Sequence, residues 1–446
     1  MILIIAAALG IGGAYAYNRI TEICGREIEA AISEAESYVA EGDYYNAICT
    51  YDQSMKYDLH KSLSKRRKET FRVFANQLID STYDLIREYN YVDAVEILKA
   101  AAMVDNEDYP EFTNLYKACR EFQNYVVYTG EITHIMFRPV IAYTDRAFVG
   151  DDMQDFMKNT FVTAEEFKRA LEKFYENGYV LIDINNLYGV DDEGIVYQKE
   201  LYMPQGKKPL VLSIDDLNYY DYMRKYGMVT GMEVGGDGKT VVSYTETQDG
   251  RVFSDDKDAV PIVDKFVKEH PDFSWGYAKG TVALTGYSGA LGYRTNETDA
   301  PDSEARIADA QRLANVMKNN GWSFACKGYG DINPAEMSAE DFYADIDRWI
   351  GEVEPIVGKT DIYMYPTGEQ MDDSDEKFQY MLKQDFHLFC GLDENPVFSV
   401  CPQYAFMQRR VVNGTALEHN WMNNLLDFSG VADGSIRGSK TAEKEE

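Results

Sequence analysis

Two adjacent carboxylates at the end of an apolar run are the residues of this chain best placed for chemistry. Pro209-Leu-Val-Leu-Ser-Ile-Asp-Asp-Leu-Asn218 runs strand-like into Asp215 and Asp216. Strands of an α/β sheet or barrel are buried on both faces, so their polar residues gather at the carboxyl ends, where loops open onto a cleft. Enzymes of that class present acids to a substrate in this way. The plain alternative is an Asp-Asp turn and helix cap.

The flanking elements must hold such a pair in place. From residue 129 onward strand and helix signals alternate. His134 to Phe137 reads as a strand. Thr163-Ala-Glu-Glu166 is a capping box that opens a helix with Phe167, Leu171 and Phe174 on one face, stopped by Gly178. Strands follow at Tyr179–Ile184, Leu210–Ile214, Thr281–Thr285, Trp322–Cys326, Asp361–Tyr365 and Phe386–Cys390. Helices Pro261–His270, Ser303–Lys318, Ala339–Ile350 and Glu376–Lys383 lie between them, and Tyr226–Phe253 reads as a β-hairpin excursion. This alternation predicts a mostly parallel sheet closed, or nearly closed, into an α/β barrel.

The order and content of these segments, over roughly residues 132–421, resemble the polysaccharide deacetylase family of carbohydrate esterases, whose fold is a distorted (β/α) barrel. In that family the first Asp of the pair is the general base and the second binds a divalent metal. The resemblance therefore assigns Asp215 as base and Asp216 as metal ligand. Family members carry Gly-Trp-x-x-x-x-His-x-x-x-His, which completes the metal site; here the matching words are Gly321-Trp-Ser-Phe-Ala-Cys-Lys327-Gly-Tyr-Gly-Asp331. Both histidines are replaced. The family's Arg-x-Pro-Tyr-Gly groove motif appears as Met364-Tyr365-Pro366-Thr-Gly368, and its early Tyr-His element as Phe137-Arg138. His387 and His419 match no motif position.

Deacetylation by the family's route needs a divalent ion to polarise the acetyl carbonyl and acidify a bound water, and zinc-type ions take about three protein ligands. A lysine ammonium has no lone pair to give. Asp216 and Asp331 are then an oxygen-only remnant of a metal site, holding no metal or a weakly bound divalent one. Lys327 is expected to replace the ion's charge, within about 4 Å of a carboxylate oxygen of Asp216 or Asp331. Tyr219, Lys327, Tyr365 and Pro366 are the candidate glycan-binding residues, among 34 tyrosines that are mostly packing. The glycine-rich Thr285–Arg294 loop lacks phosphate-loop spacing and reads as groove wall.

Composition narrows the partners. Against 44 basic residues stand 75 acidic ones, a net charge of −31 over 446 residues, which repels nucleic acid and leaves a neutral or cationic partner. The basic run Lys65-Arg-Arg-Lys68 reads as a solvated helix face. Six cysteines show no C-x-x-C spacing, so neither a zinc knuckle nor a redox pair is visible.

Ahead of the barrel the grammar is helical from Ile23 to Tyr128. Ala47–Tyr51–Ser54 and Ala94–Leu98–Ala101 repeat a small, large, small spacing that resembles the second helix of a tetratricopeptide repeat, though at a separation wider than that family's 34 residues. The uncharged run Ile2–Tyr17 reads as a membrane anchor or signal peptide. The expected organisation is an apolar leader (1–19), a helical-hairpin domain (23–128), a deacetylase-type α/β barrel (130–430) and a disordered tail (431–446). The functional expectation is a membrane-anchored, outward-facing protein that acts on or binds cell-envelope polysaccharide, with impaired hydrolysis. The alternatives are a working N-deacetylase with non-standard metal ligands, and a scaffold that recruits protein partners through its helical region.

Overall fold

The computed structural model describes residues 2–58, 61–104 and 109–437, without the side chains of 2–16. The chain divides into two compact units between Gln123 and Asn124.

The first unit is a succession of antiparallel helices, α1 (Ile2–Ala40), α2 (Tyr44–Ser54), α3 (Ser62–Arg87), α4 (Tyr91–Ala102) and α5 (Pro110–Phe122), each packed on the next. The similarity of the two segments noted in the sequence is structural as well. Asp43 and Asn90 cap α2 and α4 by accepting from the backbone N–H of Asn46 and Asp93. Their own N–H groups donate to Tyr38 O and Leu85 O, both at 2.8 Å. The residue before each cap is left-handed, Gly42 at φ 79° and Tyr89 at φ 60°. Ala47 and Tyr51 on α2, and Ala94, Leu98 and Ala101 on α4, face the interior. The 26 residues of α3 account for the wide spacing between the copies. Arg66 pairs with Glu36 at 2.7 Å and Arg67 with Asp52 at 2.5 Å, so the two arginines of the basic run are paired within the unit. The helical run stops at Phe122; Tyr125–Val127 is a short strand paired antiparallel with Tyr202–Pro204. Among the described residues no helix is long and apolar enough to cross a membrane, and the side chains of the predicted leader up to residue 16 lie outside the described set.

The second unit is an α/β barrel. Its main strands are β1 (Thr133–Phe137), β2 (Tyr179–Leu181), β3 (Lys208–Asp215), β4 (Gly280–Leu284), β5 (Trp322–Cys326), β6 (Ile362–Met364), β7 (Leu388–Leu392), β8 (Phe398–Val400) and β9 (Ala405–Val411). Seven of them close a parallel ring in the order β1-β3-β4-β5-β6-β7-β9 and back to β1. One edge of β3 is shared: β2 covers Lys208–Leu210 and β4 covers Ser213–Asp215. The barrel's main helices, α6 (Ala164–Glu176), α7 (Ala259–Glu269), α8 (Ser303–Asn319), α9 (Ala339–Glu352) and α10 (Glu376–Lys383), follow the predicted spans closely. In α6 the capping box forms in both directions, and Phe167, Leu171 and Phe174 enter the core, where Phe167 meets Phe137 edge-on at 4.7 Å. Each such ring contributes about 1.5–3 kcal/mol of burial.

Three expectations are corrected here. The hairpin excursion is a three-stranded antiparallel sheet of Gly231–Val234, Val241–Thr247 and Gly250–Ser254. The closing strand β9 and its antiparallel neighbour β8 had no counterpart among the sequence signals. The start of the supposed disordered tail is packed: Val431 is buried, Gly434–Arg437 is helical, and Arg437 is 2% exposed against Glu166. Residues 438–446 lie outside the described set.

Candidate functional site

Strand ends of the barrel converge on one cluster of charge. Asp215 is the last residue of β3, Lys327 follows β5 directly, Arg138 follows β1, and Arg409 lies inside β9. Backbone bonds carry the ladder past the strands: Asp216 N–H donates to Ala283 O at 3.0 Å and Lys327 N–H to Leu284 O at 3.1 Å. Asp216 and Asp331 both sit in the left-handed region, at φ 63° and 58°. Such conformations cost a non-glycine residue free energy and persist where the surroundings fix them.

Lys327 Nζ donates to Asp216 Oδ1 at 2.7 Å and to Asp331 Oδ1 at 2.6 Å, inside the separation expected from the sequence. Arg138 Nε lies 3.6 Å from Asp216 Oδ2, and Tyr220 Oη donates to Asp216 Oδ1 at 3.4 Å. Asp216 thus bonds to cations and a phenol rather than capping a helix, which sets aside the turn-and-cap alternative. Lys327 is buried, whereas the Asp331 side chain keeps 30% of its surface and marks the open side of the cluster. The Asp331 loop is held from behind by Asp345 on α9, which accepts from Tyr329 N–H at 2.6 Å and Gly330 N–H at 2.7 Å.

Asp215 belongs to a second, deeper pair. Arg409 Nη1 donates to its Oδ1 at 2.7 Å, and both side chains are essentially unexposed. The same guanidinium reaches Tyr365 O and Gly391 O at 3.4 Å and lies 3.2 Å from Met364 Sδ. The motif position filled by Met364 therefore does have an arginine against it, delivered from the other side by β9. Sequence reading missed this residue. Asp215 Oδ2 is buried with no hydrogen-bond partner among the described residues. His134, also missed, pairs through Nε2 with Ser213 Oγ at 3.1 Å. Burial first, then the charge of Arg409, hold its pKa well below the usual histidine value, so it is neutral at physiological pH.

The two carboxylates on Lys327 differ. Burial pushes Asp216 up, but Lys327 and then Arg138 outweigh it and hold the group below the ordinary aspartate value. At Asp331 burial and the Asp216 charge prevail over Lys327, and the carboxyl is pushed up to about 6. Burial alone would depress the Lys327 ammonium; Asp216, Asp331 and Asp215 raise it instead, so it stays charged.

The residues present do not fit a zinc-type ion. The facing oxygens of Asp216 and Asp331 are taken by an ammonium, and among the described residues no group of three or more His, Cys, Asp or Glu is arranged to hold a metal. All four residues expected to contact a glycan are buried, Lys327 inside the charge cluster at 1% exposure. Tyr219 is fully buried because its left-handed backbone, at φ 52°, turns the ring into the core, where its hydroxyl donates to Asp258. Tyr365 is 1% exposed between Tyr363 and Phe389, and Pro366 beside it is buried. The exposed aromatic nearby is Tyr287, 41% exposed, which stacks on the buried Tyr220 at 4.9 Å; Tyr220 in turn stacks on Tyr222 at 6.0 Å.

No family model matches the chain. No curated protein matches it significantly. Among solved structures, the chain is similar to the Streptococcus pyogenes deacetylase PplD in complex with acetate, with 13% identity over 64% of this chain and 94% of that one, at a TM-score of 0.37. A Mycobacterium smegmatis protein assigned as a polysaccharide deacetylase shares 15% identity over 34% of this chain and 45% of that one, at a TM-score of 0.24. At these values neither likeness carries an argument about activity. The reading below rests on the site.

Proposed function

We propose that the barrel binds a neutral, N-acetylated cell-envelope glycan without hydrolysing it by a metal-dependent route. The observation that carries this is the Lys327 ammonium seated between Asp216 and Asp331. In a deacetylase-like barrel that seat serves the ion that polarises the acetyl carbonyl; a lysine supplies the charge without a vacant coordination position. The cluster stays polar enough to hydrogen-bond a sugar, and the exposed Tyr287 ring, backed by the buried Tyr220, offers an aromatic face beside it. The strongly acidic chain suits an uncharged ligand better than an anionic polymer. Attachment to the outer membrane face through the apolar leader belongs to the same proposal, and cell fractionation with external protease tests it.

The deciding experiment combines metal analysis of the purified full chain with calorimetry and acetate release on N-acetylglucosamine oligomers. The expected result is saturable binding, weakened about tenfold or more by Tyr287→Ala, with no acetate above background. Acetate release that tracks a stoichiometric divalent metal would restore the working deacetylase. Absence of any glycan binding would favour the scaffold.

A further inference from the structure

A second concavity, of about 610 Å³, opens between the three-stranded excursion and the segment that follows Gly292. Its lining includes none of Asp215, Asp216, Lys327 or Asp331, but it gathers Arg224, Arg251, Arg294, Arg306 and Arg312. The same lining holds five carboxylates, which leaves it formally neutral in a chain of net charge −31.

The arginines fall into two kinds. Three are committed. Arg251 pairs with Glu233 at 2.8 Å and Glu246 at 3.6 Å, and Arg306 with Glu297 at 2.5 Å and Asp302 at 3.0 Å. Arg294 is tied to Asp221 and to the carbonyls of Asn218, Tyr219 and Ser288. These bonds fix the wall and neutralise its acids, leaving Asp309 as the lining carboxylate without an ion pair among the described residues. Arg224 and Arg312 remain. Arg224 spends one donor on Gly292 O at 2.8 Å, while its Nε is buried and makes no hydrogen bond to any described residue. Arg312 is exposed on the rim and has no ion pair among the described residues.

The Nε is closed off beneath the wall, so the donor left for a ligand is Arg224 Nη1, which makes no hydrogen bond to any described residue; an oxyanion is the acceptor that suits a guanidinium. The cavity lies within the ordinary range for small-molecule sites, about 300–1,000 Å³. We propose that it binds a small organic oxyanion, its carboxylate or phosphate bridging Arg224 and Arg312. This site is separate from the glycan reading and stands or falls without it.

Calorimetry on the full chain, at low ionic strength, with sodium glucuronate in one arm and inorganic phosphate in the other, tests the proposal. Saturable binding is expected in at least one arm, and the arm that responds identifies a carboxylate or a phosphoryl group as the source. Arg312→Gln and Arg224→Gln should each weaken it about tenfold or more, while Lys99→Gln on α4 leaves it unchanged. Should Arg224→Gln fail to fold by circular dichroism, the exposed Arg312→Gln decides alone. Failure of both anions to saturate by about 50 mM, or binding by the folded variants equal to that of the parent chain, overturns the proposal.

Discussion

Lys327 is one ammonium holding apart two carboxylates that would otherwise repel. Its removal in Lys327→Met leaves a buried Asp216 and a neighbouring Asp331 with reduced neutralisation, and a loss of about 3–5 kcal/mol of stability is expected in urea unfolding. A loss below about 1 kcal/mol would show that the pair is not held by this charge. The two acids also make opposite contributions with pH. Asp331 titrates near 6 in the folded chain, above its unfolded value, so its contribution is complete below about pH 4 and is lost as pH rises through 6. Asp216 is depressed, so its contribution is present above about pH 4 and lost as pH falls below that. Relative to Asp331→Asn, the parent chain should therefore lose stability between pH 4 and 7, by at most roughly 3 kcal/mol. Carboxyl-resolved NMR titration should show a step near pH 6 that vanishes in the variant. An unshifted Asp331 would refute the picture.

At the scale of elements, what was legible depended on whether function and periodicity coincide. β3 could be read because an apolar run ends abruptly in acids, and the Lys327–Asp331 loop because it occupies the place of a metal motif. β9 could not: Ala405-Phe-Met-Gln-Arg-Arg-Val411 carries two consecutive arginines and resembles a surface segment, while the partner of Arg409 is 194 residues away. Tyr219 and Tyr365 were misplaced because proximity to a strand end does not say which way a ring points; a left-handed backbone turns Tyr219 inward, and Tyr365 packs between Tyr363 and Phe389. Arg409→Met should cost about 3–5 kcal/mol by leaving Asp215 buried and unpaired, and the double variant with Asp215→Asn should lose markedly less than the two single losses combined. Additive losses would contradict a direct pair. In the helical unit, Asp43→Ala and Asn90→Ala should each cost about 1 kcal/mol, since each removes one N-cap acceptor in twin loops. Thermal unfolding of each variant checks whether the two are equivalent.

For the whole molecule, the decisive tie joins distant parts of the barrel unit. Glu166 accepts from Thr163 N–H to open α6 and also binds Arg437, whose side chain reaches Phe161 O at 2.9 Å. Arg437→Ala should cost about 3 kcal/mol or more although no predicted site residue is touched, because it strands a buried Glu166. Proteolysis kinetics of the folded chain would register this as faster cleavage around α6. Closure of the barrel has a further consequence for folding. The strand that seals β1 is β9, with Arg410 opposite Ile135. Until that strand is in place, β1 and β7 are two unsealed parallel edges of the partly formed cylinder, and their unpaired backbone groups are open to pairing with another chain.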